Sequence, residues 1–399
     1  MKAHPLLKLG LVSLTVLLAS CGSGSSGGGG SGGNQQTSGT DIPAGTWFQQ
    51  DPKAGEGEPE YRPYSGVVAG NGRAYFWGGG HFTHGGNDID AYDIAGDEWV
   101  QLTEEENWNN VDSWDHLTDE EKQAIKSSQS GGWDVDILTP RGRPLPKHSY
   151  SQMAWWPDRG LCLLEQRLWC YDPSEGDSDG AWQELASNPF SGVFDDEGSI
   201  SVWNLTYDPK QDTLVTVYAA GGGVTGGFVY QPDNSSNPWR QLPEFSMRAD
   251  GSWSQVYSAY NPDSEWHIVY AGQMWRRMNL TTGEVKEMAQ LRSHPQLDGK
   301  LEEDQYGPRL RSFSMEWSPE LDSALVAVSI DNELQLWTYD PSANSWSRFQ
   351  LDGEGPTDAH ANWDTLARDP KTGVYVFVAK EDQNATEIPE TWTFKISGS

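Results

Sequence analysis

SVWNLTYDP, residues 201–209, is the stretch on which the fold turns. Leu205 and Tyr207 stand two apart, which is the period of a strand with one buried face. Pro209 then closes the segment, as proline does at a turn. The same form returns in HSYSQMAWWP (148–157), WSQVYSAYNP (253–262), RSFSMEWSP (311–319) and HANWDTLARDP (360–370). Successive prolines are 52, 53, 57 and 51 residues apart. A period near 50 marks a repeat architecture, not a single irregular sheet.

Each segment is followed by three more strand-like pieces. The second is an apolar run, such as TLVTVY, EWHIVY, ALVAVS or GVYVFVA. The third reads LWCYDP, LWTYDP, TWTFKI or, more loosely, MWRRMN, and the fourth AWQEL, PWRQL or SWSRFQL. Four short strands per repeat is the pattern of a propeller blade. An earlier set fits with a variant turn: PYSGVVAGNG, RAYFWGG, DIDAYDI and EWVQL, with Asn71-Gly72 in place of the proline. That makes six blades. The last lacks a fourth strand after TWTFKIS, and GTWFQQ (45–50) near the start supplies one. The expected fold is therefore all-β, a six-bladed propeller over residues 42–399 closed by its N-terminal strand, which leaves no open edge. Residues 104–147 break the rhythm. They are expected to be an insertion between blades 1 and 2, with a short helix opening at the Thr118–Glu121 capping box. A seventh, degenerate blade there is the alternative.

The first 41 residues have a different character. MKAHPLLK is basic, LGLVSLTVLL is apolar but too short to span a bilayer, and Leu18-Ala19-Ser20-Cys21 follows. This order resembles a bacterial lipoprotein signal. The resemblance implies removal of residues 1–20, lipidation of Cys21, and a place in the cell envelope anchored to a membrane. Gly22, where an Asp would signal retention, resembles signals sent on to the outer membrane. Residues 21–41 read as a Gly/Ser-rich tether. Loss of Lys2 and Lys8 would take the net charge from −31 to −33. Such a surface repels nucleic acid, so no nucleic-acid partner is expected. In CLLEQRLWC, a hairpin centred on Gln166 would set Cys162 opposite Cys170, and an exported domain favours a disulfide there.

The order Gly78-Gly79-Gly80, Tyr92-Asp93 and Trp99 in blade 1 resembles a kelch repeat. GGGHFTHGGNDIDAYD (78–93) and RGRPLPKHSYSQMAW (141–155) are similar to paired motifs of bacterial kelch or galactose-oxidase central-domain propellers. That resemblance covers roughly residues 42–399 and implies the fold more than an activity. The copper oxidases of the class need a cysteine bonded to a tyrosine. With Cys162 and Cys170 expected to pair, no copper, other metal or cofactor site is carried over.

Strand alternation places the connection between second and third strands on the same face as the links between blades. His81 and His84 fall in such a connection of blade 1. His148 and His360 begin the segments of blades 2 and 6, which flank blade 1 in a closed ring. A composite ligand site at one mouth is thus expected: His81, His84, Asn87, His148, Trp253, Arg311 and His360, with Tyr150 and Arg309 on the rim. Imidazoles there suit metal ligation or general acid and base work. The glycines around His81 and His84 equally suit a wide turn with no further role. Asp195-Asp196-Glu197 and Glu302-Glu303-Asp304 are read as solvated loops. Most of the 20 tryptophans fall at blade positions, which leaves Trp108, Trp114 and Trp133 of the insertion to line a groove or pin it down. Three functions fit: binding of a protein or glycan at the mouth, lyase-type chemistry on a polysaccharide with His81, His148, Tyr150 and Arg311 as the candidate residues, or a purely structural envelope role.

Overall fold

A computed structural model describes residues 41–55, 57, 62, 65–79, 85–127, 137–190, 202–219, 224–246, 256–271, 274–304, 307–330, 333–356, 365–379 and 389–396. Six antiparallel sheets of four principal strands each form a ring. Blade 1 runs Val67–Gly70, Arg73–Trp77, Ile89–Asp93 and Glu98–Gln101. Blade 2 runs Met153–Trp156, Gly160–Leu164, Arg167–Tyr171 and Trp182–Ser187. The inner strands of blades 3, 4 and 5 are Val202–Asp208, Tyr257–Asn261 and Arg311–Ser318. Blade 6 takes Leu366–Arg368, Val374–Ala379 and Glu390–Lys395 from the C-terminal end of the chain and Phe48–Gln49 from the N-terminal end.

Six hydrophobic clusters lie one at each blade junction, including that between blades 6 and 1, where Val67, Ala69 and Phe76 meet Val374 and Val376. Closure at six is therefore complete. The insertion adds no blade: its described residues form a 3-10 turn, Trp108–Ser113, and helix α1, Asp119–Ser127. Both faces of the second strands are covered by neighbouring blades. This explains why they are continuous apolar runs, as in Thr213–Ala219, buried along its whole length, and do not alternate.

The turn chemistry repeats as well. The residue at or just before the start of the second strand has a positive φ in every blade: Gly72, Gly160, Asp212, Glu265, Asp322 and Gly373. Ahead of the prolines, Asp208 and Asn261 accept hydrogen bonds from backbone amides two and three residues on. These side chains cap the turn that proline begins. In blades 1, 3 and 5 a fourth-strand tryptophan ties the blade to the one before it. Trp99 donates to Thr391 Oγ1 (2.9 Å), Trp239 to the Ser187 carbonyl (2.8 Å) and Trp346 to the Ala289 carbonyl (2.8 Å).

At the closure, Phe48 pairs with Thr393 and Gln49 with Trp392. Trp47 packs edge-on against Phe394, with centroids 4.6 Å apart. The chain then crosses to blade 1, where Lys53–Ala54 pairs in parallel with Glu98 and Trp99, an addition the repeat pattern did not announce. In blade 2, Cys162 and Cys170 face each other in register and form a disulfide.

Some expectations need correction. Tyr150 and His148 precede the inner strand of blade 2, which begins at Met153. Arg309 belongs to a separate hairpin, Glu302–Asp304 with Gly307–Arg309, so Glu302 to Asp304 is strand and not loop. Trp114 is buried with Val111, Ile125 and Leu145, and Trp108 packs on the same cluster, so both hold the insertion down. Trp133 and residues 195–197 lie outside the described residues. The capping box is present: Glu121 accepts from the backbone and hydroxyl of Thr118, whose Oγ1 accepts from Glu121 N.

Candidate functional site

The junction of blades 1 and 2 brings polar groups together on the face from which inner strands start. The Lys147 carbonyl accepts from Gly79 N at 2.8 Å. Gly78 has φ 77°, and a Cβ there would sit 2.4 Å from that same carbonyl oxygen. These two glycines are needed because the blade 2 link lies directly on them. Ser149 is buried and staples the junction: its Oγ donates to the Trp77 carbonyl (2.7 Å) and accepts from Gly66 N (3.1 Å). On the far side of 80–84 the reason for glycine is similar, since a Cβ on Gly85 would meet Trp108 Nε1 at 2.2 Å.

On this platform a run of polar side chains crosses blade 2. Lys147 Nζ lies 3.9 Å from Glu165 Oε2. Glu165 sits in the connection between the second and third strands, closed in by a hydrogen bond from its amide to the Arg167 carbonyl. With its amide oriented to satisfy its surroundings, Gln152 donates to Glu165 Oε1 (2.8 Å) and to the His148 carbonyl (3.2 Å). His148 is 7 % exposed, and its Nδ1 lies 2.9 Å from Tyr150 Oη. Burial pushes the Glu165 carboxyl up to about 7, with Lys147 opposing. A carboxyl that titrates near neutrality, joined through Gln152 to the His148 backbone, is equipped to move protons or to present a neutral donor. Tyr150 holds its position with φ 37°, a left-handed conformation costly for a bulky residue.

Asn87 is placed otherwise. It is fully buried, its Nδ2 donating to the Pro144 carbonyl and its Oδ1 accepting from Glu106 N, so it fastens the insertion to blade 1. Arg311 opens the inner strand of blade 5, and only its backbone is described. His81, His84, Trp253 and His360 lie outside the described residues, as do residues 1–20 and Cys21. Of the expected group, His148 and Tyr150 are brought together.

Sequence reading did not find Glu165, Gln152 or Lys147 as members of this run. Glu165 is the polar interruption between two apolar strands, GLCLL and RLWCY, and that was the available signal. Nor did it find Arg62, wholly buried with Asp88 and Asp90; Arg62 donates to Asp90 Oδ2 (2.6 Å) and to the Asp88 carbonyl (2.6 Å). Nearby, Arg141 and Arg143 pin the insertion on Asp177 of blade 2, each at 2.7 Å. Although partial burial opposes it, those hydrogen bonds hold the Asp177 carboxyl below its ordinary range.

Among the described residues no group of three or more His, Cys, Asp or Glu side chains is arranged to hold a metal ion. None of the described helices is long and apolar enough to cross a membrane. Comparison with family models and with curated proteins gave no match for this chain.

Proposed function

We propose that this chain is a kelch-like propeller, lipid-anchored in a bacterial envelope, that binds a glycan or protein partner on the link face between blades 1 and 2. The single observation that carries the binding site is the polar run from Lys147 through Glu165 and Gln152 to the His148 carbonyl, with the His148–Tyr150 side-chain contact at its end, over a largely apolar junction. A ring of blades supplies a rigid seat, and connections on one face supply the contacts, as in other sites built on stiff frames. The signal-like start with Cys21 and the Gly/Ser tether support display of the domain at a membrane surface. His81, His84 and His360, with Arg311 and Trp253, belong to the same reading by their position in the repeat.

The 2.9 Å contact of Tyr150 with His148 favours a second reading, a lyase on a uronate polymer. In that reaction a base takes the proton from the carbon beside the carboxylate. The glycosidic C–O bond then breaks, a C=C bond forms, and the leaving oxygen receives a proton. Tyr150 and His148 are the pair for those two transfers, with Lys147 or Arg311 neutralising the carboxylate. One experiment tests both readings. The domain from Asp41 onward is screened against neutral and uronate polymers, for binding and for the ultraviolet absorbance of an unsaturated product. Binding without absorbance supports the binding module, and absorbance lost in Tyr150→Phe supports the lyase. Binding that survives the double change His148→Ala, Glu165→Gln would place the partner elsewhere.

A further inference from the structure

A groove of about 510 Å³ lies away from that site, between the outer strand of blade 5, Ser345–Phe349, and the link that enters this blade. The link contributes His294, Gln296 and Lys300, and blade 5 contributes Gln335, Trp346, Arg348 and Gln350, with Ser347 at the edge. The link is firmly seated. Its two 3-10 turns, Leu291–Ser293 and Pro295–Leu297, bury Leu291 and Leu297 in the core between blades 4 and 5. His294 accepts from Gln296 N on Nδ1 (3.3 Å) and stacks edge-on to Trp337, with centroids 4.9 Å apart.

Three features point to a ligand. Gln335 is only 6 % exposed, makes no side-chain hydrogen bond among the described residues, and keeps its amide open to the groove it lines. An amide without a protein partner that opens onto a groove takes its hydrogen bonds from what fills the groove. The side chains of Lys300 and Arg348 also have no carboxylate, carbonyl or ring partner among the described residues, in a chain with 58 acidic residues to choose from. Finally, every lining residue but Trp346 is polar, and no aliphatic side chain offers a seat for a peptide anchor.

We infer that this groove binds an acidic saccharide unit, its carboxylate held by Arg348 and Lys300 and its hydroxyls by the amides of Gln296, Gln335 and Gln350. Arginine meets a carboxylate through two parallel N–H donors, and glutamine gives and accepts at once, as a hydroxyl-rich ring requires. The site is separate from the polar run of blade 2 and does not depend on it.

The test is calorimetric titration of the domain from Asp41 onward with trisaccharides of galacturonate, glucuronate and mannuronate, with their methyl esters, and with a triglutamate peptide. At least one acid trisaccharide is expected to bind, and its ester to bind roughly tenfold or more weakly. The double change Lys300→Ala, Arg348→Ala should cause a similar loss without altering the melting temperature, since both side chains are exposed. Gln335→Leu should weaken binding too. The inference is overturned if no acid trisaccharide binds, if the esters bind equally, if the double variant binds like the parent, or if triglutamate binds more tightly than every saccharide.

Discussion

Tyr150 Oη and His148 Nδ1 stand 2.9 Å apart, and Tyr150 reaches that position through a left-handed backbone. A tyrosine held in such a conformation is maintained by its surroundings and not by its own preference. If the contact serves a ligand, Tyr150→Phe keeps the ring and its packing but removes the hydroxyl. The expected outcome is a melting temperature within a few degrees of the parent and roughly tenfold weaker partner binding, read by a thermal melt beside a titration. A variant that loses stability before it loses binding would make the hydroxyl a structural prop.

The ring was legible because its core is periodic. Prolines, fourth-strand tryptophans and apolar second strands each follow from one blade packing on the next, so the pattern repeats wherever the packing does. The short pairing of Phe48–Gln49 was legible for the same reason, since Trp47 occupies a fourth-strand position. The site was much less so. Glu165 and Gln152 meet through strand pairing within blade 2, and Lys147 is placed by a backbone contact with Gly79 of blade 1. None of these contacts has a period. Asn87 shows the converse: polar, beside a glycine pair in a connection, it looks like a ligand contact, yet it is consumed by the Pro144 carbonyl and Glu106 N.

Closure gives a stability prediction. Trp47 packs on Phe377, Trp392 and Phe394, and Trp47 N bonds the Asp352 carbonyl at 2.9 Å. A chain that begins at Asp51 loses this strand and uncovers the edge of Glu390–Lys395. It should be destabilised by several kcal/mol, a large share of a typical folding free energy. A chain that begins at Asp41 should melt like the full domain. Equal melts for the two truncations would contradict the closure drawn here.

The disulfide is a short-range staple. Cys162 and Cys170 are both buried, and the bridge spans a sequence separation of 8. A small closed loop constrains the unfolded chain modestly, by about 2–3 kcal/mol. Replacement of both cysteines by alanine should therefore lower the urea midpoint without unfolding the ring. In the parent domain from Asp41 onward, thiol titration under denaturing conditions should detect no free cysteine until a reductant is added.

The anchor is tested apart from the ring. With Cys21→Ser in the full chain, incorporation of labelled fatty acid should fall to background and the protein should leave the membrane fraction. Labelled acyl chains that persist in this variant would refute lipidation at Cys21.

The last prediction concerns pH and rests on Glu165. Burial raises its carboxyl from 4.5 to about 7, against the pull of Lys147 at 3.9 Å. The folded state therefore holds this proton more tightly than the unfolded chain does. Below about pH 4.5 both states are protonated, and the contribution of Glu165 to stability is fully present. As pH rises the unfolded chain releases its proton first, so stability declines until the folded carboxyl has also ionised, just above about pH 7. The whole span is worth at most about 3 kcal/mol. Glu165→Gln fills the same space, carries no charge, and still offers Gln152 an acceptor. It should match the parent near pH 4.5 and be the more stable protein near pH 8. Urea unfolding of both proteins at several values across this window gives the answer, because other titrating groups contribute equally and cancel in the difference. Parallel curves would mean that Glu165 is ionised in the folded state throughout, with Lys147 as a true ion-pair partner, and the neutral proton donor would be lost from the blade 2 site.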